Sequence, residues 1–227
     1  MLPVLLVGAA VVYAEEEPSG GASPPPAAQQ PVPPAEIEPG STEPPRRYER
    51  IRWRRSRAIG MPFAGRLVNG VRLPAEGRDF FTWDPVLKRT PNRAWRRWGT
   101  ARLIRVVVRV LRAHRAAFPG APRVGIGDLS RPRGGDFGPQ FGSIGHASHQ
   151  NGLDVDIYYP RLDGLEERAA RVSQIDMELA QDLVDRFVAA RAQYVFVGPS
   201  TPLAGPRKRV VKLVHHDDHL HLRIRPR

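Results

Sequence analysis

Seven histidines occur in the chain, and six of them fall into two short stretches. His146 and His149 lie in GHASHQNGLDVDIYYP (145–160), and His215, His216, His219 and His221 lie in HHDDHLHLRI (215–224). Cysteine is absent, which removes disulfides, thiolate nucleophiles, iron–sulfur clusters and cysteine-bound zinc from consideration. A transition-metal site must then be built from imidazole and carboxylate. The Gly/Ser/Asn-rich surroundings of His149 predict a loop. Asp154 and Asp156 follow in a strand pattern whose two-residue period puts both carboxylates on one face, with Leu153, Val155 and Ile157 on the other. On a second strand His219 and His221 also share a face, while Leu220 and Leu222 turn into the core. Two imidazoles and one carboxylate leave an open position on tetrahedral zinc, as a catalytic site requires. A His-x-His pair alone is common on exposed strands, and a His and an Asp seven residues apart say less still. Together they point to a metal site of the catalytic type.

Several short strands and two amphipathic helices must position these groups. Strands are expected at 123–129, 153–159, 194–198, 209–214 and 219–224. GRLVNGVRLP (65–74) reads as strand, turn and strand, with Asn69-Gly70 as the turn. A helix is expected from Ala94 to Phe118, with Leu103, Val106, Val107, Val110 and Leu111 as its buried stripe and Pro119-Gly120 as its stop. His114 reads there as a surface or boundary residue. A second helix is expected from Ser173 to Ala192, capped by Ser173 with Asp176 at the capping-box position, burying Ala180, Leu183, Val184, Phe187 and Val188. The expected fold is α+β: a small antiparallel sheet carrying the zinc site, flanked by two long helices.

The N-terminal part has a different character. LPVLLVGAAVVYA (2–14) is too short to span a bilayer as a helix and reads as a signal peptide or anchor, although no Lys or Arg precedes it. Residues 15–47 are rich in Pro, Glu, Gly, Ser and Ala and read as an extended, disordered linker. The catalytic domain is expected over 48–227, opening on the basic run that includes RRYERIRWRRSR (46–57). The chain holds 35 Lys and Arg against 23 Asp and Glu, a net charge of +12, and residues 1–45 hold six Glu and no basic side chain. The basic excess is therefore concentrated in the folded part, where it either solvates an Arg-rich surface or attracts polyanions.

LSRPRGGDFGPQFGSIGHASHQNGLDVDIYYP (129–160) and HHDDHLHLRI (215–224) resemble the penicillin-insensitive murein endopeptidases, within the wider zinc-peptidase group of lysostaphin and the D-Ala-D-Ala metallopeptidases. Weaker similarity extends back to about residue 60. The resemblance implies one zinc ion per domain, held by His149, Asp156 and His221. It places His219 beside the metal and puts His146 and His216 in the site. Relatives in the wider group use a Glu as general base; HDDHLHLRI has none, and the murein endopeptidases likewise have His at the matching position, so the resemblance implies His216 as base or proton shuttle, with a protonated His219 as donor to the developing oxyanion. Asp154, Asp217 and Asp218 could orient imidazoles or simply be strand-edge and turn carboxylates. Arg133 and Asp136, in the Gly/Pro-rich loop before the first cluster, could hold substrate charges or only shape the loop.

The implied activity is hydrolysis of D,D or L,D peptide cross-links in peptidoglycan. The alternatives are a D,D-carboxypeptidase or dipeptidase acting on uncross-linked peptides, and a non-catalytic wall-binding module. The expected partners are peptidoglycan and, through the basic surface, anionic cell-wall polymers. Nucleic acid is not expected, since it gives the clustered His no role. The expected location is exported, periplasmic or envelope-associated, with the N-terminus as a tether.

Overall fold

The computed structural model describes residues 48–138 and 148–226. The expected signal segment, the linker and His146 lie outside the described residues. The first elements are a hairpin of β1 (Arg57–Met61) and β2 (Ala64–Val68), followed by β3 (Val71–Arg72) and β4 (Phe80–Thr82). After a 3-10 turn at Ala94–Arg96 come β5 (Trp98–Gly99), α1 (Ala101–Ala117), β6 (Val124–Ile126) and β7 (Asp154–Tyr158). A second 3-10 turn, Val172–Gln174, leads to α2 (Met177–Ala189), and β8 (Tyr194–Val197), β9 (Val210–Lys212) and β10 (His219–Arg223) complete the order.

The class is α+β, but the principal sheet is neither small nor purely antiparallel. It has six strands in the order β4-β6-β7-β10-β8-β9. The centre is antiparallel, whereas β4 with β6 and β8 with β9 pair in parallel at the two edges. The connections explain this. Parallel neighbours need a long crossover, which α1 supplies between β4 and β6 and the loop 198–209 supplies between β8 and β9. Local strand patterns mark each strand but not the direction of its partner.

The pleat sorts the residues as the alternation predicts. Val155 and Ile157 of β7, Leu220 and Leu222 of β10, and Val195 and Val197 of β8 join the hydrophobic core with Leu103, Ile104, Val107 and Leu111 of α1 and Ala180, Leu183, Val184 and Phe187 of α2. The opposite face carries the other residues of the same strands: Asp154, Asp156 and Tyr158, then His219, His221 and Arg223, then Phe196.

Both helix starts differ from the sequence expectation. The first helix starts at Ala101, not Ala94, because Thr100 caps it by accepting from Leu103 N at 3.2 Å, while Trp98 exchanges main-chain hydrogen bonds with Ser130. The second helix starts at Met177 with Asp176 as its cap, accepting from Leu179 N at 3.1 Å; Ser173 sits one turn earlier in the 3-10 segment. The turn expected at Asn69-Gly70 is present between two strands, but those strands pair with different partners. Asn69 takes a positive φ of 51° and sends the chain from β2, which pairs with β1, to β3, which pairs with β5. His114 is buried rather than at the surface; its Nδ1 lies 2.7 Å from Asp182 Oδ2 and links α1 to α2. Among the described residues no helix is long and apolar enough to cross a membrane.

Candidate metal centre

The antiparallel register of β7 and β10 sets His221 directly opposite Asp156, Arg223 opposite Asp154, and His219 opposite Tyr158. Directly paired side chains on one face have Cβ atoms about 5 Å apart, close enough for two to share an ion. His149 reaches the same place from the preceding loop with a φ of 71°, a left-handed conformation uncommon for a residue with a Cβ. The chain that follows it is tied down: Gln150 N donates to Pro62 O and Gly135 N to Gln150 O, both at 2.9 Å.

His149, Asp156 and His221 are buried, and one candidate ligand atom from each lies within 4.8 Å of the others. Asp156 Oδ1 is 3.1 Å from His221 Nδ1 and 3.4 Å from His149 Nε2. Tetrahedral zinc with bonds near 2.0–2.1 Å places neighbouring ligand atoms about 3.3 Å apart, so the donor set fits such an ion. The far side of each ring fits too. His149 Nδ1 lies 2.7 Å from Leu129 O, which can only accept, so this nitrogen carries the proton and Nε2 presents a lone pair to the centre. His221 Nε2 lies 2.7 Å from Asp154 Oδ1, which directs the Nδ1 lone pair inward. Outer hydrogen bonds of this kind fix the tautomer and orientation of metal-binding imidazoles. Three electron-rich atoms converging inside the protein could share a cation. The charge around His221 favours a cation there: burial pushes its pKa down, but Asp154 and Asp156 outweigh burial and hold it at about 9. Burial would raise the Asp156 carboxyl, yet the imidazoles of His149, His221 and His219 keep it well below the usual range.

His219 and His216 stand beside this cluster. His219 Nε2 is 3.8 Å from Asp156 Oδ1, and its Nδ1 is 2.7 Å from Asp218 Oδ1. Asp218 also accepts from Arg168 at 2.9 Å. The rings of His216 and His219 are 4.8 Å apart. His216 Nδ1 donates to Val214 O at 2.8 Å, leaving Nε2 as the acceptor. Burial, with His219 nearby, pushes the His216 pKa down to about 4, so the ring is neutral at pH 7.

The remaining candidates separate. Asp154 is at the site, fully buried, with Oδ1 accepting from both His221 and Arg223. Asp217 accepts from Ser200 N and Ser200 Oγ at 2.9 and 2.8 Å and so anchors the turn before β10. Arg133 and Asp136 are exposed, and each is engaged through its carbonyl, with Leu67 N and Arg131 Nη1 respectively.

Sequence reasoning missed three supports. Arg223 continues the two-residue alternation of His219 and His221, a signal the sequence did contain. Phe196 packs edge-on against His221 at 5.5 Å between ring centroids. The segment Gly127–Leu129 backs both ligand elements: Gly127 N donates to Asp156 O, Asp128 O accepts from Asp156 N, and Leu129 O receives His149. Arg96 clamps Asp128 through two hydrogen bonds at 2.6 and 2.5 Å, with both side chains fully buried.

Two cavities adjoin the cluster, with His215 in the wall of both. One, of about 400 Å³, includes Phe63, Phe196, Leu213, Val214 and Arg223 in its wall. The other, of about 510 Å³, includes Tyr158, Arg168, Asp217 and Asp218.

Comparison with known proteins agrees with this geometry. Proteins of Salmonella paratyphi B, Salmonella newport and Salmonella enteritidis PT4, each described as a penicillin-insensitive murein endopeptidase, are 34% identical to this chain over 124 residues. That stretch is 54% of this chain and 40% of each relative, so less than half of each relative's length is matched. Residues 58–195 match the penicillin-insensitive murein endopeptidase family. The matched span contains His149 and Asp156 and ends before His216, His219 and His221, which the sheet register brings to them. By that match over more than half of its length, the chain belongs to the penicillin-insensitive murein endopeptidase family.

Proposed function

We propose that this protein is a zinc-dependent endopeptidase that hydrolyses the D,D or L,D peptide cross-links of peptidoglycan in the cell envelope, exported through its N-terminal segment. The observation that carries the reading is the inward-facing donor set of His149, Asp156 and His221, each imidazole held from behind by an acceptor, in a chain of this family. Those three residues would hold the metal, which when bound supplies Lewis acidity and lowers the pKa of water to about 7.

The protein's own groups supply the rest. Neutral His216 accepts the proton of the attacking water at Nε2, the nitrogen left bare by the hydrogen bond to Val214. His219 can donate to the developing oxyanion from Nε2 when its ring is doubly protonated, with the Asp218 carboxylate at Nδ1 as countercharge. The low His216 basicity keeps it ready to accept at neutral pH and lets it pass the proton on to the leaving amine. A carboxypeptidase needs to recognise a chain end. The two cavities that adjoin the cluster instead offer room for more peptide than a chain end.

The test is digestion of purified cross-linked muropeptide dimers by the full-length protein, with and without a chelator, alongside metal analysis. Chelator-sensitive release of monomers is expected, with His149→Ala losing metal and activity and His216→Ala losing rate but retaining metal. Release of terminal D-Ala without monomers would assign the carboxypeptidase alternative. Full activity in metal-free His149→Ala protein would overturn the mechanism.

A further inference from the structure

A cavity of about 580 Å³ opens near the start of α1, away from the His cluster, and its wall includes Trp53, Arg54, Arg55, Arg57, Arg102 and Arg105. None of the described residues lining it is acidic. Elsewhere arginines meet carboxylates: Arg72 with Glu49, Arg93 with Asp84, Arg123 with Glu76 and Glu166, Arg168 with Asp218. Arg54, Arg55, Arg57 and Arg105 have no carboxylate partner among the described residues. Two of them are nonetheless held in place, Arg105 over the Trp53 ring at 4.8 Å and Arg54 over Trp98 at 5.9 Å. Stacking presets the direction of a guanidinium, and a preset fork loses less freedom when it binds an anion. Like charges gathered in a concave surface raise the local concentration of anions.

The groove is connected to the metal centre. β1 starts at Arg57 in the groove wall, and its hairpin turn carries Phe63 into the wall of the active-site cavity. At about 3.3 Å per residue the hairpin spans on the order of 20 Å, a separation that a polymer bridges and a small ligand does not. The hairpin is fastened to the His149 loop by Asn151 Nδ2 donating to Gly60 O at 3.0 Å and Gln150 N donating to Pro62 O at 2.9 Å. Arg54, Arg55 and Arg57 precede the span matched to the family, whereas Arg102 and Arg105 lie within it.

We infer that this arginine groove is a second, non-catalytic binding site for the free carboxylates of peptidoglycan stem peptides, holding the polymer while a cross-link occupies the metal centre. The inference rests on the peptidoglycan reading of that centre. Guanidinium forks match carboxylates bidentately, and uncross-linked stems present many carboxylates along one polymer.

The experiment is co-sedimentation of the full-length protein with isolated peptidoglycan sacculi, before and after their carboxylates are amidated with a carbodiimide and ammonia. Two variants accompany it: Arg54→Gln/Arg55→Gln/Arg57→Gln/Arg105→Gln, and Arg55→Gln/Arg57→Gln, which spares the two stacked arginines should the first fail to fold. Binding to untreated sacculi is expected to weaken about tenfold in the quadruple variant and about threefold in the double, as surface charge attraction is removed. Amidation should weaken the wild type to a similar degree, and the ratio of sacculus turnover to soluble-dimer turnover should fall in both variants. Unchanged sacculus binding in the variants, equal binding to amidated sacculi, or duplex DNA displacing the protein from sacculi would each overturn the inference. Sacculus binding that depends on the arginines, without hydrolysis of any muropeptide, would sustain the groove and reject the proposed activity.

Discussion

Asp154→Asn separates the charge of the site from its shape. Both donors that meet Asp154, His221 Nε2 at 2.7 Å and Arg223 Nε at 2.6 Å, point at the same oxygen, Oδ1, and Oδ2 has no hydrogen-bond partner. An asparagine with its carbonyl in the Oδ1 position keeps both hydrogen bonds and puts its NH2 where Oδ2 now stands. What is lost is the negative charge that makes His221 a better electron donor. The carboxylate is ionised in the native protein: burial favours its neutral form, but His221, His149 and Arg223 hold its pKa below the usual value. Loss of such an outer carboxylate typically costs 10–100-fold in metal affinity, about 1.4–2.7 kcal/mol. Competition with a chromophoric chelator would measure that shift directly in the full-length protein, and thermal melting of the metal-free form would report the fold. The expected outcome is weaker metal binding with a cooperative melt retained, and a larger loss for Asp154→Ala, which also frees the ring. An Asp154→Asn protein that binds zinc as tightly as the wild type would refute the view that this carboxylate acts on the metal through His221.

Two further outcomes follow from the packing. A Cβ at Gly198 would run into the main chain and carboxylate of Asp217, so Gly198→Ala should displace the turn before β10, reducing muropeptide turnover more than tenfold while metal content, which depends on the sheet register, is retained; unchanged turnover would show that this turn does not position His216 and His219. Asp182 joins the helices by accepting from Arg186 at 2.5 Å and from His114 at 2.7 Å; burial raises its pKa, but these two partners bring it below the ordinary value. Its stabilising contribution is then complete above the unfolded carboxyl pKa of about 3.9 and lost as pH falls through the lower folded value. Denaturant unfolding should therefore show a shallower acid limb below about pH 4 in Asp182→Asn than in the wild type, and identical limbs would remove Asp182 from the account.

The sequence announced the site more clearly than the sheet that builds it. The two-residue period is a local property, so the shared face of Asp154 and Asp156, and that of His219 and His221, could be read directly. Which strand lies beside which is not local. The register that puts His221 opposite Asp156 is a pairing between residues 65 positions apart, and the parallel edges depend on α1 and the 198–209 loop as crossovers. The same limit explains the boundary errors. Residues 94–100 have no strong bar to helix, yet Trp98 gains main-chain partners in Ser130, and tertiary pairing overrides a weak local preference.

The supports of the ligands divide along the same line. Arg223 was legible, because it extends an alternation already in use. The Leu129 carbonyl that fixes His149 was not, since a backbone oxygen leaves no mark in residue type. Nor was the left-handed His149, which sits at φ 71° beside Gln150, whose N–H and C=O are held by Pro62 and Gly135. Such a conformation persists where its surroundings over-determine it. Here those surroundings are the hairpin and the Gly135 loop, whose described residues include none of the three candidate ligands. The hairpin therefore has a mechanical part in the chemistry: it holds His149 at one end and, at the other, begins in the arginine groove. A substitution that loosens the hairpin without touching any ligand, such as Gly65→Ala, whose Cβ would press on the Ile59 carbonyl at 2.6 Å and Asn151 Cβ at 2.9 Å, should act on the metal centre through His149 rather than through the sheet.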